Sequence, residues 1–235
     1  MNPVVLTNVN KSYRLDAVQV PALRDITLEV RPDRFTVLCG PSGSGKTTLL
    51  NLMGCIDRPD SGAIVVANQP VAALSDDALS DFRARNFGFI FQNFNLIPVL
   101  SAFENIEYPL RLAGMAPEHR LHRVRELLEA VGLADRADHL PGQLSGGQRQ
   151  RVAIARALAP APKLILADEP TANLDTQTGA AIIALMRKMQ REQHLSVVFS
   201  SHDPNVLAEA DDAVFIQDGA ITAIERRANR AEAQS

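Results

Sequence analysis

Apolar positions recur along this chain with two periods that take turns. Val4-Val5-Leu6-Thr7-Asn8-Val9 and Ile26-Thr27-Leu28-Glu29-Val30 alternate inward and outward, as antiparallel strands with one face in water do. Phe35-Thr36-Val37-Leu38-Cys39 is continuous and ends in Gly40, the pattern of a strand buried on both faces. Phe87–Phe91, Lys163–Ala167 and Ser196–Ser200 read the same way. Ala213–Ile216 and Ala220–Ile224 flank Gln217-Asp218-Gly219, an Asp-Gly turn that predicts a hairpin. Helical spacing lies between: Leu121, Val124, Leu127, Leu128 and Val131 on one face, Ile182, Leu185, Met186 and Met189 on another.

Buried strands alternating with helices predict an α/β fold with a mostly parallel sheet, preceded by an N-terminal antiparallel β subdomain. From about Asn93 to Pro160 no strand pattern appears, which predicts an inserted helical subdomain. Residues 1–235 read as a single domain, with a polar, Ala-rich tail from Arg226 that predicts a frayed helix or disorder.

Composition removes several classes. The apolar share of 46% and charged share of 22% exclude a disordered chain, a collagen and a disulfide scaffold. A net charge of -3 argues against nucleic acid as a partner, because phosphate-backbone binding needs excess Lys and Arg. Cys39 and Cys55 fall in apolar surroundings, as buried free thiols of a reducing compartment do. No signal-peptide pattern opens the chain, and the longest uncharged run, Asn86–Phe103, is interrupted by Gln92, Asn93, Asn95 and Pro98. These features predict a cytosolic chain.

Two motifs carry chemistry. Gly40-Pro41-Ser42-Gly43-Ser44-Gly45-Lys46-Thr47 fits G-x-x-x-x-G-K-[ST] at every fixed position. Glycines let backbone N–H groups turn inward around phosphates, and the helix that follows points its positive end at the anion. Lys46 reaches the β/γ-phosphates, and the Thr47 hydroxyl ligates Mg²⁺. The second motif is the apolar run Lys163–Ala167 ending in Asp168-Glu169. Ligands of open α/β sheets sit at the carboxyl ends of strands. There Asp168 can hold the Mg²⁺ shell and Glu169 can orient or deprotonate water. Alone, the pair would read as a solvated strand end.

Leu144-Ser145-Gly146-Gly147-Gln148 opens a helix reaching about Ala159. With it, five features stand in order: the phosphate loop, Gln92 after a strand, this signature, Asp168-Glu169, and His202 after another strand. Over nearly its whole length the chain resembles the ATP-binding subunit of ABC transporters. The resemblance implies a P-loop ATPase with ATP and Mg²⁺ as cofactors. It implies a head-to-tail homodimer that sandwiches two ATP molecules, in which Ser145, Gly147 and Gln148 of one copy face the phosphate loop of the other. Ser145 would offer a hydroxyl and Gly146-Gly147 their N–H groups to a γ-phosphate, although the same residues would also cap the helix.

The resemblance assigns Gln92 to Mg²⁺ or the lytic water and to sensing a membrane subunit. Asp175, in Asn173-Leu174-Asp175, would join the two sites across the dimer. His202 would contact the γ-phosphate, Tyr13 would stack on adenine, and Thr48 completes the nucleotide-binding set. The stretches Asn51–Gly62, Phe87–Pro98, Glu104-Asn105-Ile106 and Leu166–Asp175 resemble the branch serving lipoprotein-releasing systems and macrolide-type exporters. That branch implies integral membrane permease partners and a peripheral place on the cytoplasmic face of the inner membrane. The alternative is a soluble ABC ATPase acting on DNA or ribosomes. Against it, fewer than about a hundred residues separate Thr47 from Leu144, with no heptad run, and there is one ATP domain. His119, His122, His139 and His194 read as solvated or turn residues, and Arg149-Gln150-Arg151 as the exposed face of the signature helix.

Overall fold

A computed structural model describes residues 1–16 and 18–227. In chain order its strands are β1 (Val4–Leu15), β2 (Val18–Val30), β3 (Phe35–Cys39), β4 (Ser61–Val66), β5 (Gln69–Pro70), β6 (Phe87–Ile90), β7 (Leu164–Asp168), β8 (Ser196–Ser201), β9 (Asp212–Gln217) and β10 (Ala220–Arg226). The helices are α1 (Lys46–Met53), α2 (Asp76–Asn86), α3 (Ala102–Leu112), α4 (Pro117–Ala130), α5 (Gly146–Leu158), α6 (Thr176–Glu192) and α7 (Pro204–Ala208).

The strands form two sheets. One is antiparallel, four-stranded, in the order β2-β1-β4-β5. The other is six-stranded, in the order β10-β9-β3-β8-β7-β6, parallel throughout except for β10. The fold is therefore α/β, a P-loop core with a mostly parallel sheet and an antiparallel β subdomain.

Period-2 alternation divides the core in two. Phe35, Val37, Ile165, Ala167, Val197 and Phe199 face one cluster together with α5 and α6. Leu38, Leu164, Leu166, Val198 and Val214 face the other, which α1 fills with Leu49, Leu50, Leu52 and Met53 against β1 and β2. Each central strand is thus buried on both sides, which is why it reads as an unbroken apolar run. In β1 the alternation breaks between Leu6 and Val9, where Asn8 takes φ 49° and the register shifts.

Between Ile90 and Leu164 the described chain is helical or irregular. Asn105 is fully buried and pins the loop before α3: its Oδ1 accepts from the Ile97 amide at 2.8 Å, and its Nδ2 donates to Leu100 and Ser101 carbonyls at 2.9 Å. Ser101 and Glu104 close a capping box at the start of α3.

Several expectations need correction. Leu121 is 41% exposed, so the buried face of α4 is Val124, Leu127 and Leu128. Arg149-Gln150-Arg151 is not an exposed face: Gln150 is fully buried, and Arg151 donates to the Val131 carbonyl at 2.8 Å. The reason is that α5 is packed by α3, α4, α6 and β6 at once, leaving little of it for solvent. The tail begins later than Arg226, because that residue ends β10 and Arg227 donates to the Ala208 carbonyl. Residues 228–235 lie outside the described residues. Strands β4 and β5 and helix α2 were not anticipated from the pattern.

The sheet and α6 are tied by a buried ion pair. Arg187 donates to Asp211 through both terminal guanidinium nitrogens at 2.5 Å, and their side chains are 9% and 13% exposed. Burial alone would raise the Asp211 pKa. Hydrogen bonds from Arg187 and the Phe35 amide override that and hold it below the ordinary carboxylate value. Asp211→Ala leaves Arg187 uncompensated and is expected to cost about 3 kcal/mol at pH 7. Because the folded pKa is depressed, this contribution is present above the ordinary value of about 4 and fades as pH falls through the folded one. Urea denaturation of both proteins between neutral and acid pH checks this, with the two stabilities converging in acid.

Candidate functional site

The run from Gly40 to Gly45 carries the chain from the end of β3 into α1. Gly45 takes φ +105°, and a Cβ there would stand 2.7 Å from the Ala22 carbonyl oxygen. Only glycine fits both demands. The turn is braced from within and without. Lys46 Nζ donates to the Gly40 and Pro41 carbonyls at 2.8 and 2.9 Å, and the Ser44 amide donates to Pro41 at 3.2 Å. The Gly219 amide, in the β9–β10 turn, donates to the Ser44 carbonyl at 3.0 Å.

Around the turn lies an open cleft of about 310 Å³. The cradle side is Ser42, Gly43, Gly45, Lys46, Thr47 and Thr48. Tyr13 stands on the β1 side, and Gln92, Asp168 and Glu169 close the opposite side. Seven polar side chains from three segments, Ser42, Lys46, Thr47 and Thr48, then Gln92, then Asp168 and Glu169, thus meet beside a helix N-terminus, a setting suited to a polyanion and its cation. His202 stands at the rim, 70% exposed, with Nδ1 3.5 Å from Glu169 Oε1.

The acidic pair is fixed by a neighbour that sequence reasoning did not single out. Ser200 is fully buried and lies opposite Asp168 in the parallel β7–β8 register. Its Oγ donates to Asp168 Oδ1 at 2.6 Å and accepts from the Glu169 amide at 3.0 Å. Thr47 Oγ1 donates to the other Asp168 oxygen at 3.0 Å. Glu169 takes φ 42°, the left-handed region, at a cost of about 1–2 kcal/mol. Such strain persists only where the surroundings impose it, and here Ser200 holds the amide. The carboxylate then faces Lys46 Nζ at 3.9 Å.

The Thr47 hydroxyl and Asp168 carboxylate converge as two hard oxygen donors, the number Mg²⁺ takes from protein when phosphates supply the rest. Among the described residues no group of three or more His, Cys, Asp or Glu gathers to hold a metal unaided.

Ser145, Gly147, Gln148 and Asp175 do not line this cleft. They gather elsewhere, where the tip of α5 meets the start of α6. Ser145 is exposed and caps α5 through a capping box with Gln148. A Cβ at Gly147 would meet Thr178 Cγ2 at 2.5 Å, so the tip lies against the first turn of α6. Asp175 caps that helix, and the Thr178 hydroxyl and amide hold its pKa below the ordinary carboxylate value. The two groups are linked through Asn173, which donates to the Gln92 carbonyl at 3.1 Å. Nothing local in the sequence gives the bonds that Ser200 and Asn173 make; strand register and a loop crossing bring them in.

The model of the family described as ABC transporter matches residues 23–172. An uncharacterized ABC transporter ATP-binding protein of Thermotoga maritima is 49% identical over 222 residues, covering 94% of each chain. A macrolide export ATP-binding/permease protein, MacB of Syntrophobacter fumaroxidans, is 45% identical over 223 residues, which are 94% of this chain and 31% of that protein. Among solved structures, the dimeric post-hydrolysis state of the ATP-binding cassette MJ0796 bound to ADP and Pi superimposes with a TM-score of 0.88 at 42% identity. It covers 96% of this chain and 99% of that one.

The glycine demand is testable apart from any ligand. Gly45→Val is expected to lower folding stability by about 2–4 kcal/mol, through strain at positive φ and the Ala22 clash. A urea midpoint within the range of a surface substitution, about 0.5 kcal/mol, would contradict it.

Proposed function

Since the chain belongs to the ABC transporter family as an ATP-hydrolysing cassette, we propose that two copies clamp ATP between them. The phosphates would lie on the Gly40–Thr47 cradle of one copy and under the Ser145 helix tip of the other. The observation that carries this reading is the separation of the two polar groups: the signature residues do not line the cleft of their own chain. The cassette MJ0796, which this chain resembles, is a dimer with ADP and Pi.

In this reading Lys46 and the loop amides hold the phosphates and stabilise the charge that develops on the transferring group. Thr47 and Asp168 would hold Mg²⁺, which supplies charge neutralisation at the phosphate oxygens when bound. Glu169 orients a water and takes its proton as the water oxygen bonds to the γ-phosphorus and the bond to ADP breaks. Gln92 sits on the cleft wall to position that water, and His202 at the rim contacts the γ-phosphate. Ser200 keeps Asp168 and Glu169 in register. Loss of the γ-phosphate removes the shared contact, and the copies part.

The work is done on a membrane protein in this proposal. No helix among the described residues is long and apolar enough to cross a membrane. The helical segment carries exposed Val99, Tyr108, Leu112, Leu121 and Leu140, apolar surface of the kind that partner binding covers. The chain would sit on the cytoplasmic face, serving an exporter or lipoprotein-release system of the MacB kind.

Glu169→Gln is expected to keep ATP binding, lower turnover by about 10²–10⁴-fold and accumulate as an ATP-bound dimer in light scattering. Adding Ser145→Arg should return that variant to monomer with ATP still bound. A dimer that survives Ser145→Arg would remove the helix tip from the clamp. Lys46→Ala should weaken ATP itself, and unchanged affinity by calorimetry would contradict the cradle. Ser200→Ala strips a hydrogen bond from a carboxylate and is expected to lower kcat about ten-fold with ATP affinity unchanged.

A further inference from the structure

Tyr13 lies at the start of a hairpin end whose described residues belong to neither core cluster. Arg14, Asp16, Val18, Gln19, Val20 and Pro21 are all exposed, and the β1–β2 register has already shifted beyond Val9 and again beyond Lys11. The Tyr13 ring is 39% exposed on the cleft wall. A polar tie holds its hydroxyl end. Its hydroxyl donates to Asp57 Oδ2 at 2.9 Å.

Asp57 is itself held from several sides. Lys11 Nζ donates to its Oδ1 at 2.8 Å and to the Arg58 carbonyl at 2.7 Å, and the Arg58 amide donates to the same Oδ1 at 2.7 Å. The Lys11 side chain is only 11% exposed, and its ammonium lies 5.2 Å from the Tyr13 ring centroid. The segment around Asp57 hangs from α1: the Ile56 and Asp57 amides donate to the Asn51 carbonyl at 2.9 and 3.3 Å. Asp60 straps the same turn to β1 by accepting the Ser12 amide at 2.7 Å.

We propose that Asp57, held by Lys11, is a positioning residue that locks the Tyr13 ring to the helix gripping the phosphates, so that the nucleotide base meets a platform already in place. The proposal rests on the reading of the cleft as the ATP site with Tyr13 under the base. Its physical content is preorganisation: a ring fixed beforehand loses no rotamer freedom when the base stacks. The tie also explains why a carboxylate, and not an apolar side chain, stands beside an aromatic at the cleft edge. An ionised acceptor bonds a phenol more strongly than a neutral one does. Burial would raise the Asp57 pKa, but Lys11 and Tyr13 override it and keep the acceptor ionised.

The test separates base from phosphate. Calorimetry with ATP and with inorganic tripolyphosphate, both with Mg²⁺, is run on the full chain and on Asp57→Ala, Tyr13→Phe and the double variant. Each single variant is expected to weaken ATP about five-fold, the worth of one hydrogen bond, and to leave tripolyphosphate unchanged. The double variant should lose little more than either single, since both cut the same bond. Tyr13→Phe removes only a hydroxyl and keeps the measurement available if Asp57→Ala folds poorly. Equal weakening of ATP and tripolyphosphate, full additivity, or unchanged ATP affinity in Tyr13→Phe would overturn the positioning role. Tyr13→Ala is titrated alongside, and unchanged ATP affinity in it would instead remove the ring from the base, and the proposal with it.

Discussion

In the proposed reading the β3–α1 turn offers its backbone amides to a ligand, so most of its fixing has to come from other groups. A segment that leaves N–H groups unpaired inside a fold is costly unless something else fixes it. Apart from the Ser44 amide, which donates to the Pro41 carbonyl, the fixing runs through carbonyls and one side chain. Lys46 spans the Gly40 and Pro41 oxygens from inside the loop. From outside, the Gly219 amide takes the Ser44 oxygen, while the Gly219 carbonyl accepts the Arg24 amide at 2.7 Å. The last hairpin of the chain thus joins the cradle to β2. Gly219 takes φ +78°, and a Cβ there would meet the Ala22 carbonyl at 2.6 Å, so the tightness is a property of the contact.

From that constraint the placement of the sheets follows. For the β9–β10 turn to reach the loop, β9 has to pair with β3, as it does from Thr36 to Cys39. For the acidic strand end to reach it from the other side, β8 has to separate β3 from β7. That spacing lets Ser200 on β8 bond Asp168 and Glu169 on β7, while Thr47 at the start of α1 reaches the same carboxylate. Helix α1 lies between the two sheets with its apolar face in their shared core, so its N-terminus cannot shift without disturbing both. The open cleft is thus carried on strands and a helix that are themselves buried in the two core clusters.

How much of this could be read beforehand depended on how local the signal was. Strand β3, helix α1, the acidic end of β7 and the Asp218-Gly219 turn were legible because each is written in consecutive residues. So were the two contrasting patterns of half-buried and fully buried strands. Strands β4 and β5 escaped because Ser61-Gly62-Ala63 and a two-residue edge carry almost no apolar rhythm. Gln150 misled because a glutamine between two arginines looks solvated, yet α5 is enclosed by neighbours that only the tertiary fold supplies. The bonds of Ser200, Asn173 and Asp57 could not be read for the same reason. Each bonds a site residue far away in sequence, and spacing says nothing about pairs formed by register or by loop crossing.

The signature tip shows why capping and ligand binding need not compete. In the capping box Ser145 Oγ accepts the Gln148 amide, and Gln148 Oε1 accepts the Ser145 amide. Both contacts consume lone pairs. The serine hydroxyl proton and the glutamine NH₂ group are donors that the cap leaves unused. Because the cap fixes both side chains at an exposed helix N-terminus, those donors stand ordered before anything arrives. A helix start without the cap would have to order them on binding, at a cost in rotamer entropy. In the proposed clamp, the residues that stop α5 from fraying are therefore also the ones that would meet the partner copy's phosphate, with their donors already in place.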